Sequence, residues 1–388
     1  MLLQEIPHRG DSENRHGKLS VFSKIKDWFE HRTGLISGAN KLLNEQIPGG
    51  PRWSYVLLGG LLICFAIQAI SGVLLAFHYS PSVGDAWGSV YYIQHQLTLG
   101  WMIRGLHHFG SSAMVVLMAL HLVQMFIYGA YKAPREVNWL SAVLLLGLIF
   151  GATLTGNLLP WDQNGYWAVN TEINIAGGIP FVGESLQTLV RGGSDMGNST
   201  LTGFYALHAI VLPAAMAAIM LLHVALMRRH GIAPSPCRSA EEIERTSGWF
   251  WPTQAFMNLT FGLIIVAVIL ALSLWVGAPL EAPSDPNSSY DARPLWHLLF
   301  LFHLLKFFEG PMVLMGTMVL PGIATLFLIL LPFLDRCEDR RPAARKLWFA
   351  LFFTSVFSMV GLTALALVED SDNVVYQANL KTVALSGC

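Results

Sequence analysis

The segment "RGLHHFGSSAMVVLMALH", residues 104–121, places His107, His108 and His121 in a run that is otherwise apolar. An imidazole is costly in hydrocarbon and titrates near neutral pH, so a histidine held in such a run calls for a bound partner. A second run, "STLTGFYALHAIVLPAAMAAIMLLHVALMRR" (199–229), repeats the pattern with His208 and His223.

The 388 residues around these runs are 53% hydrophobic and 13% charged, with a mean hydropathy of +0.49. A soluble domain carries roughly 25% charged residues, so the chain reads as an all-α integral membrane protein. A formal net charge of -1 points to no nucleic-acid or other polyanionic partner. The start, "MLLQEIPHRGDSENRHGKLS", is polar and lacks the apolar core of a cleavable signal. Cys64, Cys237, Cys337 and Cys388 form neither a CxxC pair nor a CxxCH motif, so disulfides and zinc are not expected to organise the fold.

Apolar runs long enough to cross a bilayer, about 20 residues each, lie near 54–79, 103–128, 138–158, 202–228, 254–277, 312–333 and 347–368. These seven spans, A to G, give five regions. They are an N-terminal segment (1–53), a four-helix part (54–230), a connection (231–253) containing "HGIAPSPCRSAEE", a three-helix part (254–368) and a tail (369–388). Lys and Arg crowd the N-terminal segment and the B–C, D–E and F–G connections, leaving only Arg104, Arg191, Arg293, Lys306 and Lys381 elsewhere. Because cytoplasmic loops accumulate positive charge, the N-terminus is expected on the cytoplasmic, negative side, and Cys388 on the positive side.

Spans B and D run in the same direction and carry their histidines 14 and 15 residues apart. That spacing corresponds to about 21 and 22 Å of helix, with the second ring about 40° behind or about 60° ahead of the first, so each pair shares a face. His107 can face His208 at one depth and His121 can face His223 at another. Two facing imidazoles supply both axial positions of a haem iron, so the spacing describes two stacked b-type haems. Gly105, Gly110, Ser111, Ser112 and Ala113 in B, and Ala206, Ala209 and Ala214 in D, are small enough to leave room for a flat macrocycle. A lone membrane histidine is often no more than a hydrogen-bonding group, and His108, about 100° from His107, is read as structural. His78, His95 and His230 lie near span ends, where a solvated or capping role is the default. Zinc wants its ligands at one point, which these separated pairs do not offer.

Together these stretches, with "DWFEHR" (27–32), "GWMIRGLHHFGSS" (100–112), "LPWDQNGYWAVN" (159–170) and "PFLDR" (332–336), resemble cytochrome b of the quinol-oxidising cytochrome bc complexes, and most closely its b6f branch. The resemblance implies haem ligation by His107, His121, His208 and His223. It also implies an Arg104 that neutralises a haem propionate, Trp161 and Asp162 at the cofactor sites, and quinone reduction near Arg228 on the negative side. In the b6f branch a span-A cysteine anchors an extra haem; Val56 stands there, so no covalent c-type haem is expected. The family's E–F loop reads Pro-Glu-Trp-Tyr beside the quinol site, the Glu taking a proton, whereas this chain reads Pro294-Leu295-Trp296-His297. Leucine accepts no proton; His297 or His303 could, within a segment whose Trp296, Leu299, Phe300 and His303 fall at helical spacing.

The function implied is a quinol-oxidising, proton-translocating dihaem subunit of a prokaryotic inner membrane or an equivalent energy-transducing membrane. Its expected partners are the quinone pool, lipid, a second copy of the complex, and a Rieske iron–sulfur protein or a c-type cytochrome. Two alternatives stand beside it: a non-bifurcating conduit between quinone and a multihaem cytochrome, and a haem-bearing scaffold.

Overall fold

A computed structural model describes residues 21–386, and side chains except those at 42, 311 and 370–386. The expectation that placed Cys388 on the positive side therefore lies outside the described residues. Two helices, α1 (Val21–Thr33) and α2 (Leu35–Leu43), lead into seven helices long and apolar enough to span a membrane. These are α3 (Trp53–Ala76), α5 (Gly100–Ile127), α6 (Glu136–Leu158), α9 (Asn198–His230), α11 (Phe250–Trp275), α13 (Met315–Leu334) and α14 (Lys346–Ser386), the last apolar as far as Glu369. Shorter helices lie between them: α4 (Ala86–His95), α7 (Gln163–Gly177), α8 (Gly183–Arg191), α10 (Ala240–Thr246) and α12 (Trp296–Leu305). Many large apolar side chains of the seven long helices point outward, as a lipid environment demands of helices whose backbone groups are satisfied internally.

Helix α5 packs against α3, α6 and α11, and α9 packs against α6. Close approach depends on small residues: a Cβ at Gly262 of α11 would fall 2.1 Å from Ile63 of α3. Buried Met114, Met118, Phe126, Trp139, Leu145 and Met220 form the core between these helices, and Leu331 and Phe352 join it from the C-terminal part. Phe126 stacks on Phe352 with ring centroids 3.9 Å apart.

The connections sort onto two ends. At the N-terminal face, a short strand β1 (Gln46–Ile47) pairs antiparallel with β2 (Gly248–Trp249), and Arg135 donates to the carbonyl of His230. There Lys132 and Asp335 form an almost fully buried ion pair at 2.8 Å. The same carboxylate accepts from the Tyr131 hydroxyl, and the buried Arg345 guanidinium donates to the carbonyls of Phe126, Ile127 and Arg340 and to Tyr131. This clasp ties the turn after α5 to the segment between α13 and α14, uniting the four-helix and three-helix parts. At the opposite face, Asp162 caps α7 by accepting from Gly165 and also accepts from the amide of Glu281, while Trp87 donates to the Glu281 carbonyl.

Helix α9 contains a π-turn at Leu207–Val211, just ahead of Pro213, whose ring cannot donate to the preceding turn. The turn holds His208 and spends one residue more than an α-turn. A spacing of 15 residues in α9 therefore acts like the 14 of α5, bringing both histidine pairs to about the same offset, near 40°.

Candidate functional site

Helices α5 and α9 present their histidines to each other at two levels. His121 and His223 bring Nε2 to within 3.3 Å of Nε2, ring centroids 5.4 Å apart and planes at 80°. His107 and His208 face each other with centroids 5.9 Å apart at 74°. His108 is exposed and turned aside against Phe109.

The hydroxyls around these rings fix their tautomers. Ser141 donates to the Asn138 carbonyl at 2.7 Å, so its oxygen can only accept from His223 Nδ1, at 2.9 Å. Thr155 donates to Gly151 at 2.7 Å, and His208 Nδ1 lies 3.3 Å from its oxygen and 2.9 Å from the Ala152 carbonyl. Ser71 donates to Ile67 at 2.6 Å and accepts from His107 Nδ1 at 3.0 Å. In all three rings Nδ1 carries the proton and Nε2 keeps a bare lone pair, the state in which an imidazole binds a metal and is oriented by a second partner. His121 Nδ1 is buried without a partner. The bare Nε2 of His223 faces His121 Nε2 at 3.3 Å, a position in which an iron would be held by both rings. The residues present therefore fit two bis-histidine haems.

Two glycines shape the flanks. A Cβ at Gly156 would stand 2.6 Å from His208 Cε1, and one at Gly72 would stand 3.2 Å from His107 Cε1. The glycines that sequence spacing assigned to the macrocycle do something else: a Cβ at Gly105 would meet Ser273 of α11, and one at Gly110 would meet Gln68 of α3. Gly105, about 160° from both histidines, lets α11 approach α5 from behind, whereas Gly110, about 60° from His107 and about 20° from His121, lets α3 come in beside them. Nothing local in the sequence distinguishes Gly72 and Gly156, which abut a ring, from glycines that abut a helix.

Beside His121 and His223 is a cavity of about 70 Å3 reached by Tyr55, Gln124, Tyr128, Arg135 and Asn138. Arg135 Nε is buried there without a partner, a donor suited to a haem carboxylate. The resemblance assigns a haem propionate to Arg104 and quinone reduction to the neighbourhood of Arg228. Arg104 donates to Gln94 and Ala278 at 2.9 Å and to the Pro279 carbonyl, which pins the end of α11. Arg228 lies 3.7 Å from Glu45. Trp161 is buried against Tyr166 in a positive-φ turn, and Asp162 serves as the α7 cap, its carboxyl raised by burial.

At the opposite face, Pro294-Leu295 leads into α12. Trp296 donates to Ser112 Oγ at 3.1 Å, and His297 is buried, its ring parallel to Phe150 at 5.4 Å. His303 sits 3.5 Å from Glu369. Nearby segments leave a second cavity of about 490 Å3 between α7 with the residue after it (Thr171, Asn174, Ile175, Gly178) and the entry into α13 (Val313, Thr317).

Comparison with known proteins accords with this arrangement. The family model for cytochrome b/b6/petB matches residues 45–231, and that for cytochrome b(C-terminal)/b6/petD matches residues 283–385. Cytochrome b6 of Acaryochloris marina is 41% identical over 211 residues, 54% of this chain and 98% of the relative; that of Synechococcus elongatus is 40% identical over the same length. A chain of a solved "Hyperthermophilic respiratory Complex III" superposes with a TM-score of 0.76 at 26% identity, covering 88% of this chain and 90% of its own. With two histidine pairs set for iron, seven apolar helices and both family segments in one polypeptide, the chain belongs to the cytochrome b/b6 family.

Proposed function

We propose that this chain is the dihaem subunit of a bc-type complex that oxidises quinol on the positive side of a prokaryotic inner membrane. Electrons pass toward a quinone site at the N-terminal, cytoplasmic face, and the transfer is coupled to proton translocation. The observation that carries the reading is the two pairs of facing imidazoles, one at each of two depths. Bound there, haem would supply a one-electron carrier at each of the two histidine levels.

The chain's own residues hold and orient. His107 and His208, and His121 and His223, are the proposed ligands, and the proton on Nδ1 of His107, His208 and His223 keeps each ring turned for binding. Arg135 is proposed to pair with a haem carboxylate at the N-terminal face, and Arg104 to do so at the other once its carbonyl partners give way. Arg228, with Trp161 and Asp162, frames the ends of the two sites. The 490 Å3 cavity beside α7 is offered for quinol, since ligand pockets of this size and mixed lining suit a flat apolar ring with two polar groups.

His297, with Pro294 and Trp296 setting its turn, is the proposed contact for a quinol hydroxyl. Thr153 donates to Phe150 at 2.8 Å, so at 3.2 Å it accepts from His297 Nε2. The lone pair therefore sits on Nδ1, which is buried and unpartnered. Burial lowers this imidazole to about 4, so it accepts a hydrogen bond readily but holds a proton poorly at neutral pH. The partners are a Rieske iron–sulfur protein or a c-type cytochrome, in a homodimeric complex. Leu295, in place of an acid, is the one observation favouring the non-bifurcating conduit.

The test is quinol oxidation by the purified complex with its partners, together with reduced-minus-oxidised spectra. We expect two low-spin b haems, of which His121→Ala or His223→Ala removes one. Both haems surviving in His121→Ala would refute the pairing, and absence of quinol oxidation with either partner class would refute the activity.

A further inference from the structure

Glu172 is the only carboxylate of α7, and the reading above leaves it without a task. It is half-buried and makes no hydrogen bond or ion pair among the described residues. A carboxylate taken out of water without a partner is unfavourable unless it can be neutralised, and burial alone pushes Glu172 up to about 7.

Its place on the helix connects it to the larger cavity. Thr171 and Ile175 both line that space, and Glu172 lies about 100° from the first and about 60° from the second. On its other side Val169 and Ile173 are buried in the core. Glu172 thus stands at the seam between the packed face of α7 and the cavity. The ionisable groups around α7 are Glu184 and Arg191 of α8, Asp195 after it, Glu281 and Asp285 of the loop that meets the start of α7, and, on the neighbouring α6, α4 and α9, Glu136, His95 and His208. Arg191 donates to Asn170 and Asn174, which lie roughly opposite Glu172 around the helix. Glu309 stands beside Gly310 on the far wall. None of these pairs with the Glu172 carboxyl, which is left to respond to burial.

We propose that Glu172 is the proton acceptor of this cavity when quinol is oxidised there, which rests on the quinol-oxidising reading. The O–H bond of a quinol hydroxyl breaks, and its proton passes to the Glu172 carboxylate to give the neutral acid. The second hydroxyl releases its proton to water on the same, positive side. The two electrons go singly to acceptors of the iron–sulfur and haem classes, leaving quinone. A base that ionises near the working pH suits this task better than His297, whose proton would be lost again at once. The acid that the family places in its E–F loop, where Leu295 stands, would here be supplied by α7.

The experiment uses the whole complex with its partners and a short-chain quinol. Glu172→Gln should slow oxidation by about two to four orders of magnitude, the range for a lost general base, with Glu172→Asp partly restoring it. The wild-type rate should rise with pH through about 7, and that inflection should vanish in Glu172→Gln while both b haems remain. Glu184→Gln, exposed on α8, serves as the control and should behave as wild type. Infrared difference spectra with isotope-labelled glutamate should show a carboxyl titrating near neutrality in the wild type and missing in Glu172→Gln. A full rate and unchanged profile in Glu172→Gln, or no such carboxyl, overturns the assignment. A wild-type complex that does not oxidise quinol overturns the quinol reading instead.

Discussion

Replacing Gly156 by alanine tests the fit of the His107/His208 level at one methyl group. The new Cβ would stand 2.6 Å from Cε1, 3.0 Å from Nδ1 and 3.3 Å from Nε2 of His208, closer than packed carbon atoms tolerate. The ring cannot swing away freely, because Nδ1 is held 2.9 Å from the Ala152 carbonyl and 3.3 Å from Thr155. Overpacking typically costs about 1–3 kcal/mol, and one displaced hydrogen bond adds about 0.5–1.5 kcal/mol. The sum, about 1.5–4.5 kcal/mol, is a loss of roughly 10- to 2,000-fold in haem affinity at this level. Haem-to-protein ratio and reduced-minus-oxidised spectra of the purified protein are the assay. The band of the His121/His223 level should stay, and the other should weaken or disappear on dilution. Gly147→Ala, on the same helix with nothing within 4 Å of the added carbon, is the control and should bind both haems. Full retention of both haems by Gly156→Ala, at unchanged affinity, would show that His208 is not held as argued.

Asp335→Asn leaves Lys132 buried without its charge partner, so it should destabilise the protein by about 3–5 kcal/mol, seen as a lower melting midpoint in detergent. The double variant Lys132→Met/Asp335→Leu should lose much less, and equal midpoints for Asp335→Asn and wild type would mean that the clasp carries no weight. An impermeant maleimide added outside sealed cells should label neither Cys237 nor Cys337, both exposed at the N-terminal face, and should label both after lysis; labelling from outside would invert the proposed topology. Thr153→Val removes the acceptor that fixes the His297 tautomer, so quinol oxidation should slow by about 10-fold, the scale of one lost hydrogen bond, with haem content intact; an unaltered rate would detach His297 from the reaction.

The seven spans were legible because a run of about 20 apolar residues is its own signal, and their observed ends differ from the expected ones by only a few residues. The histidine pairing was legible for a related reason: helical spacing converts sequence separation into depth. The offset between 14 and 15 residues was resolved only by the π-turn at Leu207–Val211, which Pro213 hinted at without placing. Ser71, Ser141 and Thr155 were visible as polar residues in apolar helices, but which ring each holds depends on how helices rotate against one another. Asp335 lies in an ordinary stretch of sequence, and its partner Lys132 stands some 200 residues earlier, beyond any local pattern. Nothing in the sequence marks Glu172, because its ionisation is set by burial, which is a property of the packed molecule.

The clasp of Tyr131, Lys132, Asp335 and Arg345, with the β1–β2 pair, bears on how such a chain can be divided or joined over evolutionary time. The cytochrome b6 relatives are matched over 98% of their length by only 54% of this chain, so the first four spanning helices are a unit of manufacture elsewhere. Here the exposed segment around Cys237 joins two bodies that already grip each other through a buried ion pair and shared carbonyls. A covalent tether of that kind contributes an effective concentration on the order of millimolar. Any interface with a dissociation constant well below that is closed with or without the tether. Cutting the segment between Pro234 and Ser239 should leave the halves bound, so fusion or fission of the coding sequence at this point would be nearly silent in the folded product.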